Sequence, residues 1–166
     1  MHPGVVFSRK AGFPQSGSAC GAATRASTAE SPICRAARIW VVEDNPGDVY
    51  LLEKALKHEG LAYELTCFED GSQAIRALSR KDYAIPDLIL VDLKLPRLDG
   101  FEVLRSIHSQ PALVGVPVGV LTSSDAESDR HRVILQGVDG YILKPEDLDE
   151  FLELVGKAIK QMLSGR

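Results

Sequence analysis

A chain of 166 residues, 45% hydrophobic and 25% charged, has the makeup of one globular domain that can bury a core without disulfides. No apolar run approaches the roughly 18 residues of a membrane span, and three scattered cysteines without paired spacing fit a reducing cytoplasm better than a disulfide framework. The net charge of −4 is divided between residues 1–37, at +3, and the remainder, at −7, and an acidic body argues against nucleic acid as a partner.

Residues 1–37 are rich in Gly, Ser, Ala, Thr and Pro and carry no lasting period. Their longest aliphatic or aromatic cluster, Val5-Val6-Phe7, is too short for a secretory core. The segment has a transit-peptide composition, but it reads as a disordered N-terminal extension or as translation begun upstream of the true start. From Arg38 apolar runs alternate with amphipathic stretches. That pattern predicts strands near 38–43, 62–68, 87–92, 116–122 and 139–144, and helices near 46–59, 71–81, 99–109, 126–136 and 147–163.

The boundaries have chemical causes. Asn45-Pro46 supplies a cap and a proline at the first helical position. Asp70 with Gln73 three residues on is a variant capping box. The last helix opens on Asp147, Asp149 and Glu150 and closes on Lys157 and Lys160, as the helix dipole favours. Strands beginning at Ile39, Leu88 and Val116 are apolar throughout, as strands covered on both faces must be. The stretch Tyr63-Glu64-Leu65-Thr66-Cys67 alternates like an edge strand. The fold class that follows is α/β. It is a doubly wound, five-stranded parallel sheet of order 2-1-3-4-5, a flavodoxin-like three-layer sandwich with its site outside the carboxyl ends of the strands.

Polar residues stand at those ends. Glu43-Asp44 follows the first strand, Asp92 the third, Thr122-Ser123 the fourth and Lys144 the fifth. Carboxylates gathered from two adjacent strands cannot all stay ionised without a proton or a cation. Oxygen-only donors suit Mg²⁺, and no Cys/His cluster offers a softer site. An aspartate oxygen can attack phosphorus to form an acyl phosphate. Mg²⁺, Lys144 and Thr122 would then neutralise the three equatorial oxygens, and the small Ser123 would leave the group room. Asp87 lies at the wrong end of the sheet for that role, and Asp99 reads as a helix cap. His58, His108 and His131 read as ordinary helix residues, and Trp40 and Cys67 as sheet core. No glycine-rich nucleotide loop occurs.

These residues resemble the receiver domain of bacterial two-component response regulators over about 38–163. Glu43 and Asp44 are similar to its acidic pair, with Asp44 the direct metal ligand and Glu43 acting through water. Asp92 matches the phosphoacceptor and the Lys94 backbone carbonyl the third protein ligand to Mg²⁺. Pro96 and Gly100 match its loop landmarks, Thr122 the switch hydroxyl, Tyr141 the switch aromatic, and Lys144-Pro145 the lysine and its usually cis proline bond. The flanks, among them Asp44-Asn45-Pro46-Gly47-Asp48 and Leu95-Pro96-Arg97-Leu98-Asp99-Gly100, resemble the stand-alone regulators related to the cyanobacterial phytochrome response regulator. That subgroup often has asparagine where this chain has Lys94, and the side chain there influences dephosphorylation.

The resemblance implies a cytoplasmic, single-domain (CheY-like) response regulator. It would take a phosphoryl group from a sensor histidine kinase, with a phytochrome-type kinase as one candidate, in a Mg²⁺-dependent reaction. It would then switch contacts with a downstream protein or phosphotransfer protein. On phosphorylation Thr122 would move toward the phosphoryl group and Tyr141 would turn inward. No membrane or nucleic-acid contact and no turnover of a separate substrate are expected. A homodimer through the 126–163 face is a further option. A haloacid-dehalogenase-like phosphatase would want Asp-x-Asp after the first strand, where Glu43-Asp44-Asn45 stands. A pseudo-receiver would lack one of Asp44, Asp92 and Lys144.

Overall fold

The computed structural model describes residues 5–7, 35–80 and 83–165. Six strands form one sheet: β1 (Val5–Phe7), β2 (Ala37–Val42), β3 (Tyr63–Phe68), β4 (Leu88–Val91), β5 (Val118–Thr122) and β6 (Gly140–Leu143). Five α-helices accompany them: α1 (Pro46–His58), α2 (Gly71–Leu78), α3 (Gly100–His108), α4 (Glu127–Leu135) and α5 (Leu148–Ser164). The sheet order is β1-β6-β5-β4-β2-β3. The five strands from β2 onward are parallel, and numbered among themselves they run 2-1-3-4-5, as expected.

The sixth strand is the addition. Val5–Phe7 lies inside the stretch expected to be irregular, yet it pairs antiparallel with β6, Val6 opposite Tyr141. Its residue types favour extended backbone, and an edge strand offers unpaired N–H and C=O groups to any segment that can reach it. For residues 1–4 and 8–34 the expectation of irregular structure falls outside the described residues.

Each central strand serves two cores. In β4, Leu88 and Leu90 face one side with Leu52, Leu56, Val155 and Ile159 of α1 and α5. Ile89 and Val91 face the other with Val103, Leu104 and Val133 of α3 and α4. All four β4 side chains are buried, which is why the strand reads as an unbroken apolar run. Burial of each such side chain contributes about 1.5–3 kcal/mol. Glycine sets the closest approach of α1 to α5: a Cβ on Gly156 would stand 2.8 Å from the Ala55 carbonyl oxygen.

The caps form as anticipated. Asn45 accepts from the Gly47 N–H at 2.9 Å, Asp70 from Gln73 at 2.8 Å, Asp99 from Phe101 at 3.2 Å and Asp147 from Glu150 at 2.9 Å. The Gln73 side chain reaches back to the N–H of Glu69, one residue before the cap. Two expectations fail. Trp40 is buried, but Cys67 is exposed, because β3 is an edge strand and the end of its outer side has no neighbour. The Lys144–Pro145 peptide is trans, the form an X–Pro bond ordinarily prefers.

Candidate functional site

The parallel register brings one end of every central strand to the same rim. Asp92 is fixed by its own N–H, which donates to the Val42 carbonyl at 3.0 Å, and Lys144 by its N–H to the Thr122 carbonyl at 2.8 Å. Glu43, Asp92 and Thr122 are all buried, although each begins or ends at a loop.

Lys144 lies at the centre. Its Nζ donates to Glu43 Oε2 at 2.6 Å, Asp48 Oδ2 at 2.7 Å and Asp92 Oδ2 at 2.9 Å, with only 7% of the lysine side chain exposed. The other Asp92 oxygen, Oδ1, accepts the Lys94 N–H at 3.0 Å. The Thr122 hydroxyl lies beside this carboxylate and helps to hold its pKa down. Thr122 Oγ1 accepts the Ser124 N–H at 3.3 Å, and the Tyr141 hydroxyl donates to the Ser124 carbonyl at 2.5 Å. Tyr141 is buried and bonded to the Ser124 carbonyl, and Thr122 is fully buried.

The electrostatics follow from burial and that one ammonium. Burial alone would lower the Lys144 pKa, but hydrogen bonds to Asp48, Glu43 and Asp92 outweigh it and raise it. Burial would raise the Asp92 pKa; Lys144, the Lys94 N–H and Thr122 bring it below the usual aspartate value, so Asp92 is ionised at neutral pH. Burial dominates at Glu43 and lifts its pKa despite the same lysine.

The carboxylate oxygens of Glu43, Asp48 and Asp92 lie within 4.8 Å of one another, a donor set suited to a hard cation. Three carboxylates and one ammonium leave two negative charges, those one divalent ion neutralises. Asp44, expected as the direct ligand, is exposed on the loop and is not in this group. Asp48 takes the third place. In sequence it was an acid in the first turn of a helix, indistinguishable from a residue complementing the helix dipole. The Lys94 side chain is exposed.

The loop after Asp92 is shaped by two backbone features. Arg97 is the one described residue other than glycine with positive φ, at 68°, a conformation uncommon for such residues. Its guanidinium stands 3.5 Å from the α2 cap, Asp70. Gly100 packs directly on the Asp92 backbone: a Cβ there would meet the Asp92 carbonyl oxygen and stand 2.7 Å from Leu93 Cα. The rejected candidates are also accounted for. Asp87 is held at the opposite rim by Arg35, at 2.6 and 2.8 Å, and by the Arg38 N–H at 2.9 Å. Asp99 caps α3.

Parallel strands delivering an ionised aspartate, a lysine and a hydroxyl to one rim, with further acids beside them, define a phosphoacceptor class of α/β domain. The response regulator receiver domain profile matches residues 39–156. The chain belongs to the response regulator receiver domain family, whose general function is phosphorylation-dependent switching. It superposes on the phosphorylated cyanobacterial phytochrome response regulator RcpA with a TM-score of 0.73 and 34% identity, over 80% of this chain and 97% of that one. For the Mn²⁺-bound response regulator Rcp1 the values are 0.71 and 33%, over 78% and 96%. The transcriptional regulator NtrC of Escherichia coli (strain K12) is 34% identical over 121 residues, 73% of this chain; the match spans only 24% of NtrC. Among the described residues no helix is long and apolar enough to cross a membrane.

Proposed function

We propose that this protein accepts a phosphoryl group on Asp92 from a phosphohistidine of a sensor kinase and thereby changes its contacts with a partner protein. The observation that carries the reading is the state of Asp92. It is ionised, buried at a strand tip, and held through one oxygen by an N–H and through the other by a lysine. An Asp92 oxygen attacks phosphorus, the P–N bond breaks, and the electron pair leaves with the imidazole nitrogen, giving an acyl phosphate. Lys144 and Thr122 then have phosphoryl oxygens to contact in place of carboxylate oxygens.

Glu43, Asp44, Asp92 and the Lys94 carbonyl, with Asp48 beside them, would hold a Mg²⁺ ion. When bound, the ion supplies neutralising charge for the transferring group. The oxygen-only donors and the residual charge of the group fit it. The likeness to RcpA and Rcp1 supports a phytochrome-type histidine kinase as donor and a cytoplasmic setting. The downstream contact is assigned to the 126–163 face, with a second copy or another protein as its occupant. The chain promotes chemistry only on its own carboxylate.

Incubation with acetyl phosphate and Mg²⁺ followed by intact-mass measurement tests the assignment. Wild type gains one phosphate and Asp92→Ala gains none. An unmodified wild type, or equal addition to both, rejects Asp92.

A further inference from the structure

Strand β6 is connected to the surroundings of the acceptor carboxylate by two separate routes. One is direct: Lys144, the residue after β6, reaches Asp92 at 2.9 Å. The other starts at Thr122, which lies beside Asp92: its hydroxyl oxygen accepts the Ser124 N–H at 3.3 Å, and the Ser124 carbonyl accepts the Tyr141 hydroxyl at 2.5 Å, which returns the path to β6. The outer edge of this strand is not open. Val5–Phe7 lies along it antiparallel, with Val5 opposite Ile142, Val6 opposite Tyr141 and Phe7 opposite Gly140. The backbone of the residue that ends the hydrogen-bond chain is the centre of this pairing. An edge strand left bare is a template for strand addition by other chains.

We propose that Val5–Phe7 is an intramolecular strand cap on the β6 edge, and that its docking is coupled to the phosphoryl state of Asp92. The coupling rests on Asp92 being the phosphoacceptor; the cap does not. Its sign follows from what occurs together in one structure: the docked strand, the buried Tyr141 bonded to the Ser124 carbonyl, and a buried Thr122 bonded to the Ser124 N–H. A phosphoryl group gives Thr122 and Lys144 more acceptor oxygens and so favours that arrangement. Linkage between two sites is reciprocal, so phosphorylation tightens the cap and the cap prolongs phosphorylation.

Hydrogen exchange read by mass spectrometry tests both parts on the full chain. The variant carries Val6→Pro together with Phe7→Pro. Adjacent prolines remove the donor from whichever of the two residues faces β6. Without phosphodonor, amides of residues 140–142 exchange at least about tenfold faster in the variant than in wild type, while those of 88–91 keep their protection. Equal rates at 140–142 overturn the cap. With acetyl phosphate and Mg²⁺, residues 140–142 of wild type slow by about fivefold or more and those of the variant do not respond. Unchanged or faster exchange in a sample that intact mass shows to be phosphorylated overturns the coupling alone. A sample that takes up no phosphate overturns the acceptor assignment and the coupling with it, and the first comparison still decides the cap. Light scattering gives the mass of one chain for wild type. A dimeric mass that halves in the variant would assign the strand to a second copy and overturn the intramolecular cap.

Discussion

Lys144 is a single side chain serving three acids, and the consequences of losing it are asymmetric. Lys144→Met leaves Glu43, Asp48 and Asp92 facing one another with no cation, and removing the partner of a buried charge costs about 3 kcal/mol. Asp92→Asn removes one repelling charge and leaves Lys144 with two partners, so its stability stays within about 1 kcal/mol of wild type. Urea denaturation in EDTA checks both. Asp48 is half-buried, and its ion pair contributes no more than about 1 kcal/mol to folding. It shares hold of the lysine, and in the proposed cation site it would add the third charge. Asp48→Asn is expected to weaken Mg²⁺ binding about tenfold in calorimetry with little change in stability. Unchanged Mg²⁺ affinity would remove Asp48 from the site.

At the scale of elements, the site depends on α3 lying against the strand tip that carries the acceptor. Gly100 permits this, because any Cβ there meets the Asp92 carbonyl and the Leu93 backbone rather than a movable side chain. Gly100→Ala is therefore expected to destabilise by about 2 kcal/mol and to slow phosphorylation by acetyl phosphate, since the strain falls on the residue that reacts. Denaturation and the rate of mass gain measure the two effects. A variant that loses neither stability nor rate would show that α3 can shift away without moving Asp92. Strand β6 has the complementary place: Lys144 follows its last residue and Tyr141 lies within it, so one strand carries both the lysine on Asp92 and the tyrosine on the Ser124 carbonyl.

For the whole molecule, the two-core sheet concentrates negative charge at one rim and anchors the opposite rim through Asp87, Arg35 and Arg38. Cation binding is thus linked to global stability. Mg²⁺ at 100 times its dissociation constant should add about 2.7 kcal/mol by mass action, seen as a rise in Tm that EDTA reverses. The rise should be larger in Lys144→Met, where the ion meets acids that have no ammonium, and absent in a Glu43→Gln, Asp92→Asn double variant. No Mg²⁺ response in wild type would exclude the rim as a cation site.

The residues at strand ends were legible because their signals are local. Asp92 and Lys144 each directly follow an apolar run and Thr122 ends one, and the 2-1-3-4-5 order then had only to bring the runs side by side. Asp48 was not legible as a site residue, because nothing near it in sequence tells an acid that caps a helix dipole from one that reaches a lysine 96 positions away. Cys67 was misplaced for a related reason: alternation names the face a residue is on, and only the assembled sheet decides whether that face is covered. Val5–Phe7 shows the same limit, since three extended residues become a strand only when an open edge is within reach. The amino-acid order alone therefore determined the succession of strands and helices, their caps, and which polar groups arrive at the rim, all of them matters of periodicity and neighbouring residues. Tertiary structure decided which acids share Lys144, that Asp48 rather than Asp44 reaches it, and what closes the β6 edge, because those outcomes depend on the packing of segments separated by up to about a hundred residues.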